Sequence, residues 1–294
     1  MKKLLFCLGL FLFMAGGFTA NAQSIIDAEE DHNFNDFYKR DQAKGRDAMP
    51  YAFLREADVV WEHAIWRKID FREKFNQFFY FPTDPSKNTQ NRVSLTTAIL
   101  DALKNGDIEA YKEDDLKTPT TFQEIMAPIC RESVMHISEY DEYGDEMEGR
   151  DTVIKTEFQN EEVYSARIKE YWYIDKQDTR QKVRITALAL VYNDCKFRDG
   201  ERTCQDVDLF WIPMDDMRVR NALVKVLAYD ERNSHAERTY DDIFIQRYFD
   251  SFCYRQSNVM NRPISAYLTG TDAILESQAI ESEIFNIESD MWEY

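Results

Sequence analysis

The residues that could carry chemistry are few, and their spacing points elsewhere. The four histidines, His32, His63, His136 and His235, never recur at i, i+4, and His63 follows Glu62 without completing an H-E-x-x-H zinc helix. Cysteines stand at positions 7, 130, 195, 204 and 253 with no C-x-x-C between them, so no zinc site is spelled out. G-x-S-x-G, P-loop, G-x-G-x-x-G and S-x-x-K patterns are all missing. The run Glu139–Glu148 holds six carboxylates in ten residues, but it lacks the alternating ligand register of a calcium loop and reads as a solvated hairpin tip. Asp215-Asp216 and Asp241-Asp242 resemble catalytic carboxylate pairs. Both sit where helices start, and free N–H groups and the helix dipole attract acids there. Among 54 acidic side chains, a carboxylate pair decides nothing about glycoside hydrolysis. No catalytic residue, metal ligand or cofactor is assigned.

Two features carry more information. Cys195 and Cys204 flank a segment centred on Asp199-Gly200, a strong hairpin signal that sets the two thiols opposite each other. In an oxidising compartment they close as a disulfide; the alternative is two reduced thiols on a hairpin. The chain also holds 5 Trp, 16 Tyr and 20 Phe, more than one core of this size needs. Most of them are core, and Trp61, Trp66, Phe78 and Phe79 are the candidate interface anchors.

The elements that position these residues follow from composition and period. Residues 1–22 read as a signal peptide: Lys2 and Lys3, an apolar run from Leu4 to Phe13 too short to span a bilayer, and a small-x-small site at Ala20-Asn21-Ala22. Cleavage between Ala22 and Gln23 leaves 34 basic and 54 acidic side chains, a balance of −20 against −18 for the whole chain. Such a surface repels nucleic acid, and no basic run offsets it.

Residues 23–50 are polar and weakly periodic and read as an extended arm. Residues 51–270 read as a single α+β domain, and 271–294 as an acidic, helical tail facing solvent or a partner. Val59 to Ile69 mixes helical and strand spacing and leaves its period open. Ser94–Asn105 is a helix stopped at Gly106, and Thr121 opens a short second one. From about 133 to 212, alternating apolar residues predict an antiparallel β meander. The last third reads as helical, with helices through Tyr229 and from Thr239 to Arg255. The predicted fold class is α+β: an antiparallel meander with flanking helices and a helical C-terminal third.

The segments Arg55-Glu56-Ala57-Asp58-Val59-Val60-Trp61, Trp66-Arg67-Lys68-Ile69-Asp70-Phe71-Arg72-Glu73-Lys74-Phe75-Asn76 through Tyr80-Phe81-Pro82, and Thr239-Tyr240-Asp241-Asp242-Ile243-Phe244 continuing to Ser257-Asn258-Val259 carry a resemblance. Over about residues 50–265 the chain resembles the gliding-motility protein N family (GldN/PorN) of the Bacteroidetes type IX secretion system. The resemblance implies a non-enzymatic periplasmic scaffold, held peripherally at the outer membrane by a lipoprotein partner of the GldK/PorK type. It also implies self-association in a ring with that lipoprotein, and contact with the periplasmic part of a GldM/PorM-type inner-membrane motor.

A closed ring needs heterologous contacts, so each subunit must offer two different surfaces. The arm is a candidate strap, and the acidic balance calls for a basic surface on the lipoprotein. The rival reading is a periplasmic glycan-acting enzyme or ligand-binding module, which needs a deep pocket with a raised carboxylate pKa.

Overall fold

The computed structural model describes residues 46–83, 92–130, 132–140, 146–155, 158–178, 180–198, 201–233 and 235–290. The signal segment, the Ala22/Gln23 site, the arm up to residue 45, the Asp199-Gly200 turn, the centre of the acidic loop and residues 291–294 lie outside them. Every described residue belongs to one compact unit that begins at Ala43. In chain order the elements are β1 (Val59–Asp70), α1 (Gln77–Tyr80), α2 (Leu95–Asn105), β2 (Ala110–Tyr111), β3 (Pro119–Thr120), α3 (Phe122–Met126), β4 (Glu132–Tyr140), β5 (Glu146–Lys155), β6 (Val163–Asp175), β7 (Gln181–Arg198), β8 (Glu201–Pro213), α4 (Met217–Val224), α5 (Tyr240–Gln246), β9 (Phe252–Gln256) and α6 (Thr271–Asp290). The fold is α+β, built on a seven-stranded antiparallel sheet in the order β3-β2-β8-β7-β6-β1-β9.

The open period of residues 59–69 has a physical cause. β1 lies between β6 and β9 and is covered on both faces, so it shows no clean apolar/polar alternation. Ile65 and Ile69 point to the helical side, Ala64 and Trp66 to the other. Neighbouring strands obey the same parity. Ile168, Leu188, Leu190, Phe210 and Ile212 meet Phe71, Phe79, Leu95, Ile99, Val219, Leu223 and Tyr240 in the main core. Ala187, Ala189 and Trp211 face away from it.

Local signals set the helix starts. The Ser94 hydroxyl accepts from Thr97 N and Gly106 closes α2 at φ 79°, a left-handed position that suits glycine. Thr121 caps α3, Asp216 caps α4 and Thr239 caps α5. Thr239 and Asp242 bond reciprocally, the hydroxyl accepting from Asp242 N and donating to the Asp242 carboxylate.

Three expectations are corrected. The hairpin β4–β5 forms its own two-stranded sheet, so the meander proper is β6-β7-β8. α4 ends at Val224, because Leu227 instead bridges to Arg92 and Thr239. α5 ends at Gln246: Arg247 turns left-handed (φ 53°), and Phe252–Gln256 becomes the edge strand paired with β1. A helix continued to Arg255 would set Ile245, Phe249 and Phe252 on one face, but only Phe249 is buried. On α6, Ile280 and Ile284 pack on Ile65 and Cys253, while Ile274, Leu275 and Phe285 stay exposed. Among the described residues no helix is long and apolar enough to cross a membrane.

Candidate functional site

The four aromatic anchors part company in the structure. Phe79 is wholly buried, stacked on Phe71, Tyr240 and Phe244. Trp66 is 5% exposed on the opposite face of the sheet. Trp61 is half-buried at the start of β1, its ring stacked against His63. Phe78 alone lines an open surface.

That surface is a groove of about 570 Å³ between the α1 segment, residues 228–232 and the start of α5. Lys74, Phe75, Phe78 and Phe81 form one wall; Tyr229, Arg232, Arg238 and Tyr248 form the other. The rims stay open to solvent: Phe75 is 47% exposed, Phe81 44%, Tyr248 39% and Tyr229 38%. Phe75 and Tyr248 meet across the groove with ring centroids 4.8 Å apart, and the Arg238 guanidinium lies 4.1 Å from the centre of the Tyr248 ring.

The walls are held from beneath. Tyr240 is fully buried, and its hydroxyl is 2.8 Å from the carbonyl of Val93 and 3.1 Å from that of Phe78. Burial pushes its phenol well above the ordinary range. Asn76 bonds the backbone of Asp70 and Asp250 and the Glu73 carboxylate. Arg247, beside Tyr248, makes two bonds of 2.7 and 3.1 Å to the fully buried Glu170. Its left-handed backbone costs about 1–2 kcal/mol in a residue with a Cβ, so the ion pair holds this corner.

On the other face, similar residue types are closed off. The β2–β3 loop lays Asp114 and Leu116 over the sheet. Asp114 accepts 2.8 Å from Trp66 Nε1 and pairs with Arg255, whose guanidinium stacks 3.7 Å from the Trp66 ring centre. Lys169 donates to the Asp114 carbonyl at 3.0 Å. Asp208, bonded to Arg167 at 2.6 Å, is raised by burial, which outweighs that partner.

The carboxylates raised by burial, Asp208 and Glu73, lie outside the groove lining. Among the described residues no group of three His, Cys, Asp or Glu side chains could hold a metal ion.

The root of the arm is anchored on its own fold. Arg46 forms a two-bond pair with Asp242, Ala48 N donates to Asn221, Met49 O accepts from Arg220, and Tyr51 lies over Arg220. Arg220 is paired in turn with Asp241, both side chains almost fully buried. Asp241 is therefore an internal ion-pair partner, and Thr239 and Asp242 do the capping.

The ladder sets Cys195 opposite Cys204. Cys130 and Cys253 are free, the first exposed, the second buried and pushed up to about 12 by that burial. Sequence reasoning missed Phe75, Phe81, Tyr229, Arg238 and Tyr248. The available signal was Phe75, Phe78 and Phe81 recurring at intervals of three. A family described as "Gliding motility associated protein GldN" matches residues 54–293. No curated protein matches the chain.

Proposed function

We propose, from the premise that this chain belongs to the GldN family of gliding motility associated proteins, that it works by holding other subunits rather than by turning over a substrate. Membership makes it a component of the gliding motility and type IX secretion machinery. In our reading the mature chain starts at Gln23, resides in the periplasm and attaches peripherally to the outer membrane through a lipoprotein of the GldK/PorK type. It self-associates with that lipoprotein in a ring and meets the periplasmic part of a GldM/PorM-type motor. A disulfide between Cys195 and Cys204 fits that oxidising compartment.

The observation that carries the reading is the exposed aromatic groove. Four large rings at its rim remain 38–47% exposed above a packed core, and clustered open aromatics of this kind are what protein interfaces bury. The anchored arm root supports it too. Five bonds and ring contacts fix residues 46–51 on α4 and α5, so the arm before them leaves from a defined point and can strap a neighbour.

The test is the mass of the mature chain purified with its lipoprotein partner, by size exclusion with light scattering. A particle of many protomers is expected. A chain that stays monomeric beside the lipoprotein, and hydrolyses a glycan, would overturn the reading.

A further inference from the structure

We propose that the aromatic groove receives the segment Met291–Tyr294 of a second copy of this chain, so that tail and groove form a head-to-tail contact. The proposal rests on the assembly reading above and names one of its contacts.

The chemistry matches on both sides. The segment reads Met-Trp-Glu-Tyr and follows a helix end that carries Glu288 and Asp290. The groove offers the exposed rings of Phe75, Phe81, Tyr229 and Tyr248, with Lys74 and Arg238 at its walls. Trp and Tyr are the side chains that most often anchor an interface. The groove lining also holds Arg232, and its three cations outnumber the carboxylates Asp230 and Glu231 by one, so the aromatic match carries more of the contact than charge does.

The geometry makes the contact intermolecular. Near the end of α6, the Ile284 carbonyl accepts from Gln181. Gln181 pairs with Ile174, which pairs with Trp61 at the start of β1. One turn earlier, Glu281 pairs with Arg67. α6 therefore runs toward the Val59 end of β1, whereas the groove is built from residues that follow Asp70 at the other end. A 12-residue strand is about 36 Å long. Four residues reach at most about 14 Å, too short to span from the end of α6 at Asp290 to the groove of the same subunit, so the proposed contact is between copies.

Two different patches at opposite ends of one subunit make a heterologous contact. Repeated, it closes into a ring if its rotation closes and otherwise extends as a filament. One short tail binds weakly, and the closed assembly supplies the avidity.

The test uses the mature chain ending at Asp290, which leaves its groove free. A fluorescent, C-terminally amidated peptide covering Ile287–Tyr294 is titrated against it by anisotropy. Saturable binding is expected, at least tenfold weaker for the Trp292→Ala peptide and for Phe75→Ser or Arg238→Glu protein whose thermal melt is unchanged. No saturation, equal affinity for the Trp292→Ala peptide, or capture of an Asp31–Arg40 peptide in its place would overturn the proposal.

Co-expression with the lipoprotein separates the two readings. Loss of the large particle on truncation supports the tail contact. A full-size particle without residues 291–294 refutes that contact and leaves the assembly reading standing. Peptide binding by a chain whose full-length form never assembles refutes the assembly reading instead.

Discussion

On one face of the sheet, Trp66 and Trp211 lie under Tyr111, Leu116 and a web of ion pairs; on the helical side, Phe75, Phe81, Tyr229 and Tyr248 stand open around a groove. Both regions combine aromatic rings with Arg and Lys. They differ in whether the chain supplies its own cover. The β2–β3 loop delivers a carboxylate to Trp66 Nε1 and Arg255, so that face is finished within the subunit. Nothing comparable crosses the groove among the described residues. An aromatic residue becomes an interface candidate through missing cover, and its type alone does not decide.

Mutations should separate the two regions. The largest loss belongs to the closed face: Trp66→Ala removes a buried ring together with its hydrogen bond to Asp114 and its stacking on Arg255, and should cost about 3–5 kcal/mol in denaturant unfolding. Any assembly defect should then track lost folding. A loss below about 1 kcal/mol would show that the Asp114 loop does not seal this face.

The β7–β8 extension comes next. If Cys195 and Cys204 are linked, Cys204→Ser should cost about 2 kcal/mol, near the low end for so short a loop. Alkylation of the folded, unreduced protein should label Cys130 alone, since the Cys253 thiol is buried and pushed up to about 12. Labelling of Cys204 would refute the disulfide.

The third effect is pH-dependent. Burial pulls the Asp242 carboxyl up, but the Thr239 hydroxyl and Arg46 guanidinium outweigh it and hold it below the ordinary 3.8. A lowered folded pKa contributes stability that is fully present above 3.8 and lost as pH falls through the folded value. Asp208, raised by burial against Arg167, has the opposite sign: its penalty grows as pH rises from 3.8 toward its folded value. The contribution of the Asp242 carboxylate should therefore be lost as pH falls below 3.8, and the acid loss of stability should be smaller in Asp242→Asn. Equal losses in the two proteins would mean that the arm root is not held by this pair.

The helix starts were legible because caps are local. Ser94, Thr121, Asp216 and Thr239 each announce themselves within three residues. The strand β9 was not, because its role depends on β1, about 190 residues away in the chain, and on the left-handed turn at Arg247. The detachment of β4–β5 from the meander was hidden for a similar reason: alternation defines a hairpin and says nothing about the sheet it joins. The groove draws on residues 74–81, 228–232 and 238–248, and no window of sequence holds all three. Phe78 was found and Phe75 missed, although they lie three residues apart. The cover that separates them from Trp66 is a loop at residues 112–118 that no local pattern ties to β1.

The smallest stability effect should fall on the groove. Phe75→Ser or Tyr229→Ser replaces a half-open ring and should shift unfolding by no more than about 0.5 kcal/mol, yet reduce the size of the particle formed with the lipoprotein. A large stability loss would reclassify these rings as core.

The most direct measurement is amide hydrogen exchange on the mature chain, alone and in complex with its lipoprotein partner. The account predicts new protection over residues 74–81 and 228–232 on assembly, with exchange over 112–118 unchanged. Protection confined to 112–118, with the groove exchanging as freely as in the isolated chain, would contradict it.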